Sequence, residues 1–190
     1  MFDFAPNYPD FLEVWRKVDE ENLTYFGAGA AFFTACMKSK IIPKNKFNFG
    51  KLRSLGATGS PLSQEGYNWI HQKVKSDIWL APLSGGPDFA GAFVIGNPLL
   101  DVKEGEMQSK SLGCSVYAFD DNGNSVVGEV GELVCTKPLP SMPLYFWGDN
   151  QNKRLIESYF VRFSGVWKHG DWIEFTNYGG SVIYLSLIHI

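Results

Sequence analysis

The 190-residue sequence holds only three cysteines, Cys36, Cys114 and Cys135, and no two are spaced like a disulfide frame or a metal pair. His71, His169 and His189 are equally scattered and complete no ligand pattern with them. The thiols read as reduced, small apolar residues of a cytosolic protein, placing the chain in the cytoplasm. No charged-then-apolar leader opens the chain, and no run of about 18 to 20 apolar residues crosses a bilayer. The uncharged stretch Asn22–Met37 is Gly-rich and flecked with polar residues. Phosphate-binding lysine loop, dinucleotide fingerprint, nucleophile elbow and metal-binding histidine pair are all missing, as are internal repeats. A formal net charge of −3 gives no general pull toward nucleic acid or anionic membrane. Acids are also missing between Glu21 and Glu65, where Lys38, Lys40, Lys44, Lys46, Lys51 and Arg53 fall. That asymmetry reads as a solvated loop and helix end, with a face toward an anionic ligand as the alternative.

What is there suits a packed core: 45% of residues are apolar and 15% aromatic. The length allows one domain, or two small layers of a larger one. Phe11, Leu12, Trp15 and Val18 repeat at helical spacing and predict a helix from Asp10 to Asn22. Leu23–Phe26 reads as a short strand stopped by Gly27, and Ala28–Lys40 as a small-residue helix ended before Pro43. A strand at Leu52–Leu55, a turn, a helix from Ser63 to Lys75 with Ser63 as N-cap, and a strand at Asp77–Leu83 follow. This alternation predicts an α/β fold, a parallel sheet wrapped by helices over residues 1–98, with ligands at the strands' carboxyl ends. From 99 to 184 the texture becomes an antiparallel sheet or partial barrel, with strands at Val116–Phe119, Val126–Val127 and Gly131–Cys135. Asn122-Gly123 is a hairpin signal, and a helical piece is expected over Asn150–Tyr159.

Three glycine-bearing turns are each expected to end a strand: Thr58-Gly59-Ser60-Pro61, Ser84-Gly85-Gly86-Pro87-Asp88 and Lys168-His169-Gly170-Asp171. Glycine lets backbone approach a flat base or a phosphate closely. Asp171, before the strand Trp172–Phe175, is expected at a strand's lip, where a carboxylate can accept two hydrogen bonds from a diol. Each turn is equally explained as a turn and nothing more.

Taken in order, Leu55–Leu62, Ser84–Asp88, Gly131–Pro143 and Gly165–Asp171 resemble the AMP-forming acyl-CoA synthetases, and within them the acetoacetate-activating branch. The likeness covers roughly residues 2–184, and Gly131–Trp147 is its specific part. The resemblance implies part of the large N-terminal domain of an adenylate-forming ligase. Such an enzyme uses ATP, Mg²⁺ and coenzyme A to activate acetoacetate through an acyl-adenylate. It implies that Gly59, Ser60 and Pro61 line the adenine and that Gly85 and Gly86 border the nucleotide. By the same resemblance Asp88 helps hold Mg²⁺ and Asp171 the ribose hydroxyls, all three loops converging on one adenosine. Trp167 and His169 read as packing and turn residues.

Gly85 stands where acetate-activating relatives carry a tryptophan, which implies room for a four-carbon keto acid. Pro87 departs from the family's threonine and supplies neither hydroxyl nor amide donor, putting turnover in doubt. The family's upstream triphosphate loop and downstream lysine-bearing domain do not occur in these residues, so the chain is expected to be an inactive fragment. Residues 185–190 (Leu-Ser-Leu-Ile-His-Ile) have no counterpart in the family and read as out-of-frame or foreign sequence. An uncovered sheet edge and face, and poor solubility, are the physical corollary. Three readings stand: part of an acetoacetate–CoA ligase or other short-chain acyl-CoA synthetase, a non-catalytic nucleotide-binding module, or a structural domain that binds nothing.

Overall fold

A computed structural model of the chain describes residues 5–184; the expectation for residues 185–190 lies outside them. Two compact units divide the chain, one of Met1–Pro82 with Pro98–Gly105, the other of Leu83–Asn97 with Glu106–Ile190.

The first unit starts with α1 (Leu12–Glu20), whose first amide donates to the Asp10 carboxylate at 2.7 Å. Strands β1 (Tyr25–Gly29), β2 (Ser54–Thr58) and β3 (Trp79–Leu80) form a parallel sheet in that order, as the helix–strand alternation predicts. Helix α2 (Ala30–Lys38) follows β1, and α3 (Gln64–Trp69) follows β2. The Ser63 side chain does cap α3, accepting from the Gly66 amide at 3.2 Å. The helix then widens into a π turn over Ile70–Val74, closed by the Lys75 amide on the Ile70 carbonyl.

Gly27 was expected to stop the first strand, yet β1 runs through it. The Tyr25 ring lies across Gly27 and its β2 partner Gly56, and any side chain at either glycine would meet the phenol. Here glycine makes room for an aromatic cover instead of breaking the strand. Trp15 centres the core, fully buried, with Phe26, Phe49 and Trp69 at ring separations of 5.4, 5.8 and 6.2 Å. Each such aromatic pair adds about 0.5–1.5 kcal/mol beyond the area it buries. An apolar cleft of about 380 Å³ opens beside β1, lined by Val14, Val18, Leu23, Phe26 and Phe32.

The second unit is antiparallel throughout: this was expected from residue 99 onward, but Ser84–Gly86 and Gly91–Ile95, inside the stretch read as parallel, are antiparallel as well. Strands β4 (Ser84–Gly86), β5 (Gly91–Ile95) and β6 (Ser109–Lys110) form one sheet. Five more strands are β7 (Val116–Phe119), β8 (Ser125–Val126), β9 (Val130–Cys135), β10 (Trp167–Phe175) and β11 (Ser181–Tyr184). Their sheet order is β11-β10-β9-β7-β8. Asp120 organises the β7–β8 hairpin, accepting the amides of Asn122 at 2.9 Å and Asn124 at 2.8 Å while Gly123 takes φ +82°. Helix α4 (Lys153–Tyr159) is capped by Asp149, which takes the amides of Arg154 and Leu155 at 3.0 Å each. Phe89 stacks on Phe93 at 4.0 Å, and Tyr159 on Trp167 at 3.7 Å and 12°.

Two of the expected strand-ending turns take another form. Ser84-Gly85-Gly86 is itself strand β4, paired with β5. Lys168–Asp171 lies inside β10 and does not precede a strand. Between Lys168 and Trp172 the strand advances four residues while β9 advances only two, which makes a bulge with two extra residues. Asp171 therefore sits within a strand, on a bulge, and not at a strand's lip.

Candidate functional site

Loop 58–61 follows β2, the middle strand of the parallel sheet, at its carboxyl end, where open α/β sheets place ligands. Gly59 has φ +79°, and a Cβ built there would meet nothing within 4 Å. Both features favour glycine: the left-handed backbone excludes most side chains, and the open space leaves the peptide accessible. This loop belongs to the first unit.

The other candidate residues belong to the second unit, where Gly86, Asp88 and Asp171 are brought together around His169. A Cβ on Gly86 would lie 2.9 Å from His169 Cε1 and 3.8 Å from the Asp88 carboxyl carbon. His169 Nε2 stands 3.7 Å from Asp171 Oδ2. The imidazole is held edge-on to Phe93, with centroids 4.7 Å apart at 73°, in keeping with a packing role. Trp167 is buried as well, under Tyr159.

Pro87 is exposed and its carbonyl accepts the Ala90 amide at 3.3 Å, closing the turn that carries Asp88. Gly85 has a separate explanation. A Cβ there would fall on the Gly91 carbonyl oxygen and 2.5 Å from Ala92 Cα, so the β4–β5 pairing itself demands glycine. Its side-chain direction is toward the backbone of β5, and the pairing accounts for the residue without any substrate.

Two residues that sequence reasoning did not single out complete the cluster. Glu132, on β9 and only 3% exposed, accepts the Gly170 amide at 3.1 Å and places its other oxygen 3.6 Å from Arg162 Nη1. Burial pushes its carboxyl above the ordinary range, against the pull of Lys168, Arg162 and the Gly170 amide. Its signal in the sequence is a lone acid inside an otherwise apolar strand, Val130–Cys135. Burial, and then the negative charge of the nearby Asp88, push the Tyr159 phenol up to about 12. No sequence pattern distinguishes this tyrosine from the other aromatics around it.

Among the described residues no group of three His, Cys, Asp or Glu could hold a metal ion. Asp88 is a single exposed carboxylate. That suits a Mg²⁺ that brings its own phosphate and water ligands, and does not suit a protein-caged ion. Among the same residues no helix is long and apolar enough to cross a membrane.

No family model matches the chain. It is 41% identical over 184 residues to an acetoacetyl-coenzyme A synthetase of Rhizobium meliloti, covering 97% of this chain and 28% of that protein. An acetoacetyl-CoA synthetase of Xenopus tropicalis is 35% identical over 186 residues, with 98% and 28% covered. Among solved structures, the acetoacetyl-CoA synthetase from Streptomyces lividans matches with a TM-score of 0.88 at 39% identity, over 94% of this chain and 28% of that one. The chain thus spans a little over a quarter of the length of these relatives. In sequence and in fold it is homologous to one segment of the acetoacetyl-CoA synthetases.

Proposed function

We propose that the chain carries adenosine-binding residues of an AMP-forming acetoacetate–CoA ligase, working in the cytoplasm. In that reaction the carboxylate of acetoacetate attacks the α-phosphorus of ATP, and pyrophosphate leaves. The thiolate of coenzyme A then attacks the acyl carbonyl of the adenylate and expels AMP. Gly59, Ser60 and Pro61 would offer backbone to the adenine, and Asp171 would accept hydrogen bonds from the ribose hydroxyls. Gly86 leaves the backbone bare beside Asp88, whose carboxylate would hold Mg²⁺. When bound with the triphosphate, Mg²⁺ supplies charge neutralisation at the phosphates.

The observation that carries this reading is the meeting of two distant segments in the second unit. A carboxylate for a diol and a carboxylate for a hard cation flank one histidine, with glycine where a side chain would close the space. Equilibrium binding of AMP to the chain tests it. Asp171→Ala removes a charged acceptor, and a bond to a charged group contributes about 1.5–3 kcal/mol, so affinity should fall about ten- to hundredfold. Unchanged affinity in Asp171→Ala would defeat the ribose assignment.

Pro87 favours a second reading, a nucleotide-binding segment without turnover, because a residue bordering the phosphates offers no N–H. Pro87→Thr restores a hydroxyl and an amide. Tighter ATP binding in that variant supports the second reading, and no gain speaks against it.

A further inference from the structure

We propose that Glu132 is a positioning residue for Asp171: its buried carboxylate holds the bulge that aims the Asp171 side chain. The proposal rests on the reading of Asp171 as the ribose contact.

A bulge of two extra residues breaks the β9–β10 ladder at 169–171, so backbone amides there lose their strand partners. Gly170 takes φ +101°, and its N–H turns to a side chain, Glu132 Oε1 at 3.1 Å. The position of that acceptor is fixed from both sides. Its neighbour Gly131 sits so close to β7 that a Cβ would lie 2.6 Å from the Phe119 carbonyl oxygen and 2.9 Å from the Phe119 amide. The two backbones meet here with no side chain between them, so Glu132 hangs from a stretch of β9 packed closely against β7. Its second oxygen faces Arg162 Nη1 at 3.6 Å, and that guanidinium is tied in turn to Asp121. A carboxylate is costly to bury unless hydrogen-bonded and paired. Glu132 is both, and the backbone group it serves belongs to the residue directly before Asp171. A neutral apolar residue at 132 would pack the same strand but leave the Gly170 amide unmet.

Three variants of the chain test this: Glu132→Ala, Glu132→Gln and Asp171→Ala. The first readout is hydrogen exchange at the Gly170 amide without ligand. Glu132→Ala should speed it about tenfold or more relative to the Leu133 and Val134 amides, and Glu132→Gln, which keeps an acceptor, should restore most of the protection. The second readout is the preference for AMP over its 2′,3′-dideoxy analogue, which senses the ribose contact and not general folding. Glu132→Ala should lose that preference as Asp171→Ala does, and Glu132→Gln should recover it. Unchanged Gly170 exchange in Glu132→Ala overturns the proposal. So does a preference kept in Glu132→Ala while Asp171→Ala loses it. If Asp171→Ala keeps the preference, the ribose reading fails instead, and the proposal falls with it as a statement about function.

Discussion

Substituting Gly85 separates two explanations of the same residue. Read from the resemblance, a glycine here widens an acid pocket, and a larger side chain would change substrate choice without harming the fold. The geometry gives a different expectation. In Gly85→Ala the new methyl would land on the Gly91 carbonyl oxygen and 2.5 Å from Ala92 Cα, all of it backbone of the paired strand β5. Carbon atoms pack at about 3.5–4.0 Å, so the strands would have to part by about 1 Å, breaking the short β4 ladder. Overpacking costs about 1–3 kcal/mol. Each ladder bond lost adds about 1 kcal/mol, and the stiffer unfolded chain returns about 0.5 kcal/mol. A net loss of about 3 kcal/mol is large beside the usual 5–15 kcal/mol of a domain. Urea unfolding followed by tryptophan fluorescence measures it. Gly29→Ala is the control, since a Cβ there meets only the Thr58 carbonyl oxygen at 3.8 Å. Equal stability of the two variants within about 1 kcal/mol would refute the strand-pairing account. A Gly85→Trp chain as stable as the wild type would return the residue to the acid pocket.

Other consequences can be read from single side chains. The Cys36 thiol is fully buried and pushed up to about 11 by that burial, so alkylation at mildly basic pH should label Cys114 first and Cys36 only as fast as the chain unfolds; equal rates would contradict this. Asp88→Asn removes the charge that helps raise Tyr159, so its phenolate absorbance should appear at lower pH, moving from about 12 toward 10; an unmoved midpoint would break the Tyr159–Asp88 link. Glu132 prefers its proton in the folded chain, so its contribution is full below the ordinary carboxylate pKa of 4.5 and is lost as pH rises through its raised value. The stability of the wild type relative to Glu132→Gln should therefore fall from acid to neutral pH, and a rise would show that Arg162 and Lys168 outweigh burial.

Much of the fold was legible because it rests on local chemistry. Helix α1 follows from the spacing of Phe11, Leu12, Trp15 and Val18, and α3 from the hydroxyl of Ser63, which accepts the Gly66 amide. The Asp120–Asn124 turn follows from an aspartate that reaches its own downstream amides. Strand ends were less legible, and glycine is the reason. At Gly27 and Gly85 it was read as punctuation, but both lie inside strands. One makes room for the Tyr25 ring from two residues away, the other for a carbonyl of a strand that follows a turn. A residue chosen for what passes over it looks the same in sequence as one chosen for a left-handed turn.

The same limit governs the site. Asp171 was singled out by its glycine turn before a strand and Asp88 by motif resemblance, and neither signal carries what holds the side chain in place. Glu132 lies inside a quoted motif and Tyr159 outside all of them, and each acts on a residue far away in sequence, Gly170 and Asp88. Periodicity reports which face of a strand is buried and says nothing about which distant amide a buried carboxylate will meet. A charged residue in an apolar strand is thus the one sequence cue to such a partner, since burial without a hydrogen bond would cost more than a marginally stable fold can lose. Glu132 bears that cue, Tyr159 does not, and this is why the first could have been suspected from the sequence and the second could not.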